Sequence, residues 1–349
     1  IIKKKRMEEK IMKSLLGKGI AFALAGTMVL ATASCGGSWD SKTQTADSST
    51  GSLEKVEMYT ITDPQMSAAH VIAMEKGYYE EECLAKGMTE PYGHAVSRPP
   101  VVEVEATERA ISLAKLAKVP LYVAHVTAKG AMEAIRDAYA DGYPIFGETC
   151  THYLTLTTDN LAKPNFEGAK YVCSPALRSQ EQLDALWGAV KKGYLNAISS
   201  DHCGFNWKDN KHQGKDNFVN IPNGAPGMGD RMNVIWTYGV ETGKISRQKY
   251  VELCCTNPAK INGIYPQKGV IAPGSDADIV IFDPEYEGVF TNADSLQGVD
   301  YSTYEGMKQK GRPDKVFPRG ELVADCGKYV GKSGTGQFVS AKPFGLCYE

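Results

Sequence analysis

The run LYVAHV, Leu121 to Val126, followed by AKGAMEAIRDAYADG and then PIFGETC, Pro144 to Cys150, decides the fold. The first and last pieces are short and β-rich, whereas the piece between them repeats its apolar residues at helical spacing. Thr127 stands where a helix cap belongs. Upstream, Arg98-Pro99-Pro100 excludes helical geometry before the prolines, and Val101 to Leu116 then reads as a helix with Glu103, Glu105 and Glu108 outward, ended by Pro120 at the latest. Downstream, YVCSPALR (Tyr171 to Arg178) leads into a helix, SQEQLDALWGAVKKG, and LNAISSD (Leu195 to Asp201) is a further strand. Strands alternating with helices of this length form parallel βαβ units, in an open doubly wound sheet or a closed barrel. No G-x-G-x-x-G follows a strand. In a barrel, chemistry sits at the carboxyl ends of strands, where the βα loops converge, so His125 and Asp201 are the residues to examine. KGVIAPGSDADIVIFDP (Lys268 to Pro284) and VFPRGELVADCGKYVG (Val316 to Gly331) read instead as a small separate β-sheet.

The bulk numbers agree with a globular protein: 349 residues, 42% apolar and 23% charged. A formal charge of −2 gives no basic surface to hold a polyanion, so nucleic acid is not an expected partner. The 9 cysteines contain no C-x-x-C pair, which points to free thiols in a reducing, cytoplasmic setting.

The front of the chain reads differently. MKSLLGKGIAFALAGTMVLATASC, Met12 to Cys35, has two lysines, an apolar stretch from Ile20 to Ala33 and small residues before a cysteine, and resembles a bacterial lipoprotein signal with Cys35 as the lipidation site. The stretch is too short to span a hydrocarbon core of about 30 Å. If used, the signal implies membrane-anchored export, in conflict with the cysteine reading. Residues 36–55 form a polar tether. VEMYTITDPQMSAAHVIAMEKGYYEEE, Val56 to Glu82, resembles the first strand and helix of an ABC-transporter solute-binding protein. The chain therefore reads as a fusion: a signal-like segment (1–35), the tether (36–55), a solute-binding-like fragment (56–82), a partial barrel (84–265) and a β-sheet domain with its tail (266–349).

From about Leu84 to Phe344 the blocks LAKGMTEPYGHAVSRPPVVEVEATERAI, LYVAHVT, FGETCTHYLTLT, YVCSPALRSQEQLDALW, ISSDHCGF, FVNIPNGAPGMGDRM, NPAKINGIYPQKGVIAPGSDADIVIFDP and GKYVGKSGTGQFVSAKPF follow one another in the order seen in the dihydropyrimidinase/D-hydantoinase family of metal-dependent amidohydrolases, which this chain resembles. The resemblance implies an α/β fold, an incomplete TIM barrel with a small C-terminal β-sheet domain. It implies a cytoplasmic homotetramer that opens cyclic amides, dihydropyrimidines or hydantoins, to N-carbamoyl amino acids by a metal-bound hydroxide, with two zinc ions per site. His125 and Asp201 match metal ligands, and Asp201 also matches the general base. Ser174 and Asn223 match positions whose main-chain groups hold the cyclic substrate. His202, next to Asp201, should point away from the metal. His94 and His152 match no metal role, and His70 and His212 fall in no pattern. The family's His-x-His, its carboxylated lysine and one further histidine have no counterpart, so the isolated chain is expected to be truncated and inactive.

Two other functions stay open at this level: a membrane-anchored solute-binding lipoprotein, which needs two α/β lobes where one strand–helix unit is found, and a non-catalytic homologue acting as an assembly subunit.

Overall fold

The computed structural model describes residues 77–342. Cys35, His70, the signal-like segment, the tether and residues 56–76 lie outside the described residues, which all belong to one compact unit, Val56–Glu349.

Helix α1 covers Tyr78–Ala85, and α2, Pro100–Ala117, begins on a proline whose missing N–H would have had no partner in the first helical turn. Then β1 (Leu121–Val123), α3 (Lys129–Ala140), β2 (Ile145–Cys150), α4 (Gln180–Lys192) and β3 (Ala197–Ser199) follow in βαβ order. The three strands are parallel, with β2 in the middle. Its first half pairs with β1, from Leu121↔Ile145 to Val123↔Gly147, and its second half with β3, from Glu148↔Ala197 to Cys150↔Ser199. This stagger is the register shift that curls a parallel sheet toward a barrel.

Burial explains the arrangement. Every residue of β2 except Glu148 is buried, as expected of a parallel strand covered on both faces. Helix α3 turns Ala131, Met132, Ile135 and Ala138 inward, and α4 turns in Leu183, Leu186, Trp187, Ala189 and Val190, each the apolar stripe of an amphipathic helix. Burying each large side chain contributes about 1.5–3 kcal/mol. Gly147 suits this packing, because a Cβ there would lie 2.9 Å from Ile135 Cδ1 and 3.1 Å from Leu195 Cδ2 and would push those methyls aside.

Three local expectations are corrected. The strands expected to run to Val126 and Asp201 stop at Val123 and Ser199, because His125 (φ 43°) and Asp201 (φ 41°) leave the extended region. Thr127 does not cap α3; Ala128 holds that position, and the Thr127 hydroxyl is engaged elsewhere. Glu103 does not face outward but makes a largely buried ion pair with Arg178.

Beyond β3 the chain forms helical stretches from Arg231 to Val240 and from Arg247 to Ile261, and then a four-stranded antiparallel sheet. Its strands are β4 (Ile279–Val289), β5 (Lys308–Phe317), β6 (Ala324–Asp325) and β7 (Lys328–Tyr329). Phe282 of β4 stacks on Trp236 with ring centroids 4.3 Å apart. No helix among the described residues is long and apolar enough to cross a membrane.

Candidate metal centre

The parallel register brings the carboxyl ends of β1, β2 and β3 side by side. His125 lies two residues beyond β1 and Asp201 two residues beyond β3. Both have left-handed backbone, an uncommon conformation for residues other than glycine and one that costs about 1–3 kcal/mol where the surroundings enforce it. The enforcement is visible around His125. Val126 N–H donates to Glu148 O (2.8 Å), and the Thr149 hydroxyl donates to Val126 O (2.8 Å). Glu103 accepts from the N–H groups of Thr127 (2.7 Å) and Ala128 (2.8 Å) and from the Thr127 hydroxyl. Arg178 donates to the Thr127 hydroxyl (2.8 Å), to Glu103 (3.1 Å) and to the Arg98 carbonyl, closing the network.

Between them, at the end of β2, stand two residues that sequence reasoning did not select. Donor atoms of Cys150, His152 and Asp201 all lie within 4.8 Å of one another. His152 is 3% exposed, and its Nε2 has no hydrogen-bond partner. Burial, with a smaller repulsion from His125, pulls the His152 imidazole down to about 3, so it is neutral at physiological pH and can act as a donor. Burial pushes the Asp201 carboxyl up, and His125 offsets part of that rise. Burial also raises the Cys150 thiol. The Ser199 hydroxyl donates to Glu148 (2.9 Å), which leaves the Cys150 S–H to donate to Ser199 Oγ (3.2 Å). The signal that could have found His152 was its place just past the end of PIFGETC, since strand ends are what singled out His125 and Asp201.

Ser174 and Asn223 are both exposed, on separate loops. The loops are joined: Gly224 N–H donates to Val172 O (3.0 Å), and Lys211 donates to the carbonyls of Val172 (2.9 Å), Pro222 (2.7 Å) and Gly224 (2.6 Å). Lys211 is fully buried, and desolvation lowers its ammonium to about 7, while three carbonyls match its three N–H groups. His202 turns its Nδ1 to the N–H groups of Gly227 (3.2 Å) and Met228 (3.4 Å), fastening the Asn223 loop beside Asp201. His94 donates through Nε2 to Cys173 O (2.7 Å) behind the Ser174 loop, and His212 packs among Trp207 and Phe166.

Imidazole, carboxylate and thiol donors gathered at the carboxyl ends of adjacent parallel strands define an α/β protein with a metal-competent site. Residues 59–323 match the model of the amidohydrolase family, a span that starts inside the stretch read as solute-binding-like. The D-hydantoinase of Ralstonia pickettii is 45% identical over 267 residues, 76% of this chain and 58% of that protein. The D-hydantoinase of Geobacillus stearothermophilus is 43% identical over 285 residues, 80% of this chain and 60% of that protein. Among solved structures, the dihydropyrimidinase of Brevibacillus agri superposes with a TM-score of 0.75 at 44% identity, over 77% of this chain and 58% of that one. The chain belongs to the amidohydrolase family, and it spans about three-fifths of the length of these relatives.

Proposed function

We propose that this protein hydrolyses a cyclic amide, a hydantoin or dihydropyrimidine, to an N-carbamoyl amino acid in a zinc-dependent reaction. The observation that carries the reading is the pairing of His125 and Asp201, each two residues past a parallel strand and each held in left-handed backbone. The kinship with proteins named D-hydantoinase and dihydropyrimidinase supports the same substrate class.

The residues named fit a divalent metal: Asp201 is a partly buried carboxylate, and His125, which does not join the cluster of donors within 4.8 Å, bears on its charge. When bound, such a metal lowers the pKa of water and polarises a carbonyl oxygen. Asp201, with His125, would hold it. Asp201 would then take the proton of the attacking water and pass it to the ring nitrogen as the amide bond breaks, a role that suits a carboxyl whose proton affinity burial raises. The loops at Ser174 and Asn223 present main-chain groups to the ring, and Lys211 keeps the two loops in register.

A ring-opening assay on hydantoin and dihydrouracil with added zinc tests the proposal. Turnover on at least one of them is what the proposal requires, against the sequence expectation of an inactive chain, and Asp201→Asn should lower it by about 10²–10⁴-fold with the fold retained, since an amide cannot act as base. Failure to open either ring sinks the reading, and near-normal turnover of Asp201→Asn removes that residue from it.

A further inference from the structure

We propose that Cys150, His152 and Asp201 together form a thiolate-containing site for one zinc-class divalent cation, in which Cys150 and His152 are ligands in their own right. The inference shares with the functional reading only the assignment of Asp201 to a metal.

The argument begins with burial. Cys150 is 0% and His152 3% exposed, and a histidine buried so deeply with an unsatisfied nitrogen costs free energy unless something completes its coordination. Its Nε2 has no hydrogen-bond partner, although the other buried histidine, His94, has found a carbonyl. The atom set comes next. A tetrahedral zinc-class ion sits about 2.3 Å from sulfur and about 2.0–2.2 Å from nitrogen or oxygen, which places donors roughly 3.5 Å apart. The three donors here already lie within 4.8 Å of one another, so rotamer adjustment of about 1 Å suffices to close on an ion.

Charge closes the argument. One thiolate and one carboxylate neutralise a dication, so the buried site carries no net charge once filled. Coordination removes the thiol proton outright: Cys150–SH and M²⁺ give a Cys150–S–M bond and one proton released to solvent. Without metal that proton is held in a chain from Cys150 to Ser199 to Glu148. After its loss the Ser199 hydroxyl keeps its bond to Glu148 and remains beside the sulfur.

A second group of donors, Asp314, Asp325 and Cys326, lies in the antiparallel sheet, but Asp325 is taken up by Lys315 at 2.5 Å and Cys326 is exposed. It serves as the control.

The test uses the full chain stripped of metal and titrated with Co²⁺. One equivalent should bind with an intense near-ultraviolet thiolate-to-cobalt absorption band and release of a proton. Cys150→Ser should abolish that band, His152→Ala should weaken binding at least tenfold, and Cys326→Ser should change neither. Because Cys150→Ser alters a buried position, X-ray absorption of zinc-loaded Cys326→Ser protein provides a readout that leaves the site intact: a sulfur neighbour at about 2.3 Å is expected. A shell of nitrogen and oxygen alone, a band that survives Cys150→Ser, or no uptake of metal overturns the inference. Ring opening by a metal-loaded chain that shows neither the thiolate band nor a sulfur neighbour would leave the functional reading standing while this one falls.

Discussion

The parallel sheet and the antiparallel sheet of this protein spend their polar residues in opposite ways. Around β1, β2 and β3 most polar groups are buried and engaged, His152 Nε2 excepted: Lys211 on three carbonyls, Arg178 on Glu103, Thr127 and Arg98, His94 on Cys173. In the antiparallel sheet the ion pairs sit at the surface, as with Lys310 between Glu285 and Glu287, and apolar residues lie open, Ile279, Val280 and Ile281 in succession on β4. A buried polar group left unpaired costs its full desolvation, so networks of this kind persist only where they hold something in place. Here they hold the turns of His125, Ser174 and Asn223. The second sheet is scaffold by the same criterion, joined to the helical stretch by the Phe282 ring on Trp236 and by the Thr237 hydroxyl, which donates to Lys310 O (3.0 Å).

Substitutions should separate the two regions by the size of their effects. The largest belongs to Lys211→Met, which strips three buried carbonyls of their donor; a loss of about 4 kcal/mol in urea-unfolding free energy is expected. A loss below about 1 kcal/mol would mean the loops hold themselves together. Arg178→Ala comes next, at about 3 kcal/mol, since it leaves Glu103 uncompensated. A double-mutant cycle with Glu103→Gln should return a coupling well above that of exposed pairs, and strict additivity would remove the network from the account.

The pH dependence follows from His94. Burial, aided by repulsion from Arg98, pulls its imidazole from the usual value down to about 3. The folded state therefore binds fewer protons than the unfolded state between about pH 6.5 and 3, and stability falls as pH drops through that window. One such histidine contributes a slope approaching about 1.4 kcal/mol per pH unit. Urea titrations across this range should show His94→Gln with the shallower slope, and equal slopes would contradict the burial argument. The smallest effect is reserved for the antiparallel sheet: Lys310→Ala, which removes an exposed pair, should leave the melting temperature unchanged within error, and a clear drop would place that sheet among the networked regions.

The elements were legible where pattern and packing agree. The helices read from the sequence match α2, α3 and α4 to within a residue or two, and PIFGETC matches β2, because apolar spacing reports the buried face directly. The position of His125 and Asp201 at strand ends was legible for the same reason. Glu103 and Thr127 were misread because local pattern treats a glutamate on a helix and a threonine before one as solvent-facing and capping, whereas their partner, Arg178, arrives from 75 and 51 residues away.

By itself, then, the sequence determined the order of strands and helices and the kinship with amidohydrolases, and it offered two candidate metal ligands, all of which depend on local spacing and on motifs along the chain. Only the tertiary structure decided that His152 and Cys150 stand with Asp201, and that a buried lysine ties Val172 to Gly224. Those facts rest on the register between β2 and β3 and on loops meeting across tens of residues, and contacts between distant segments leave no periodic trace in the order of the amino acids.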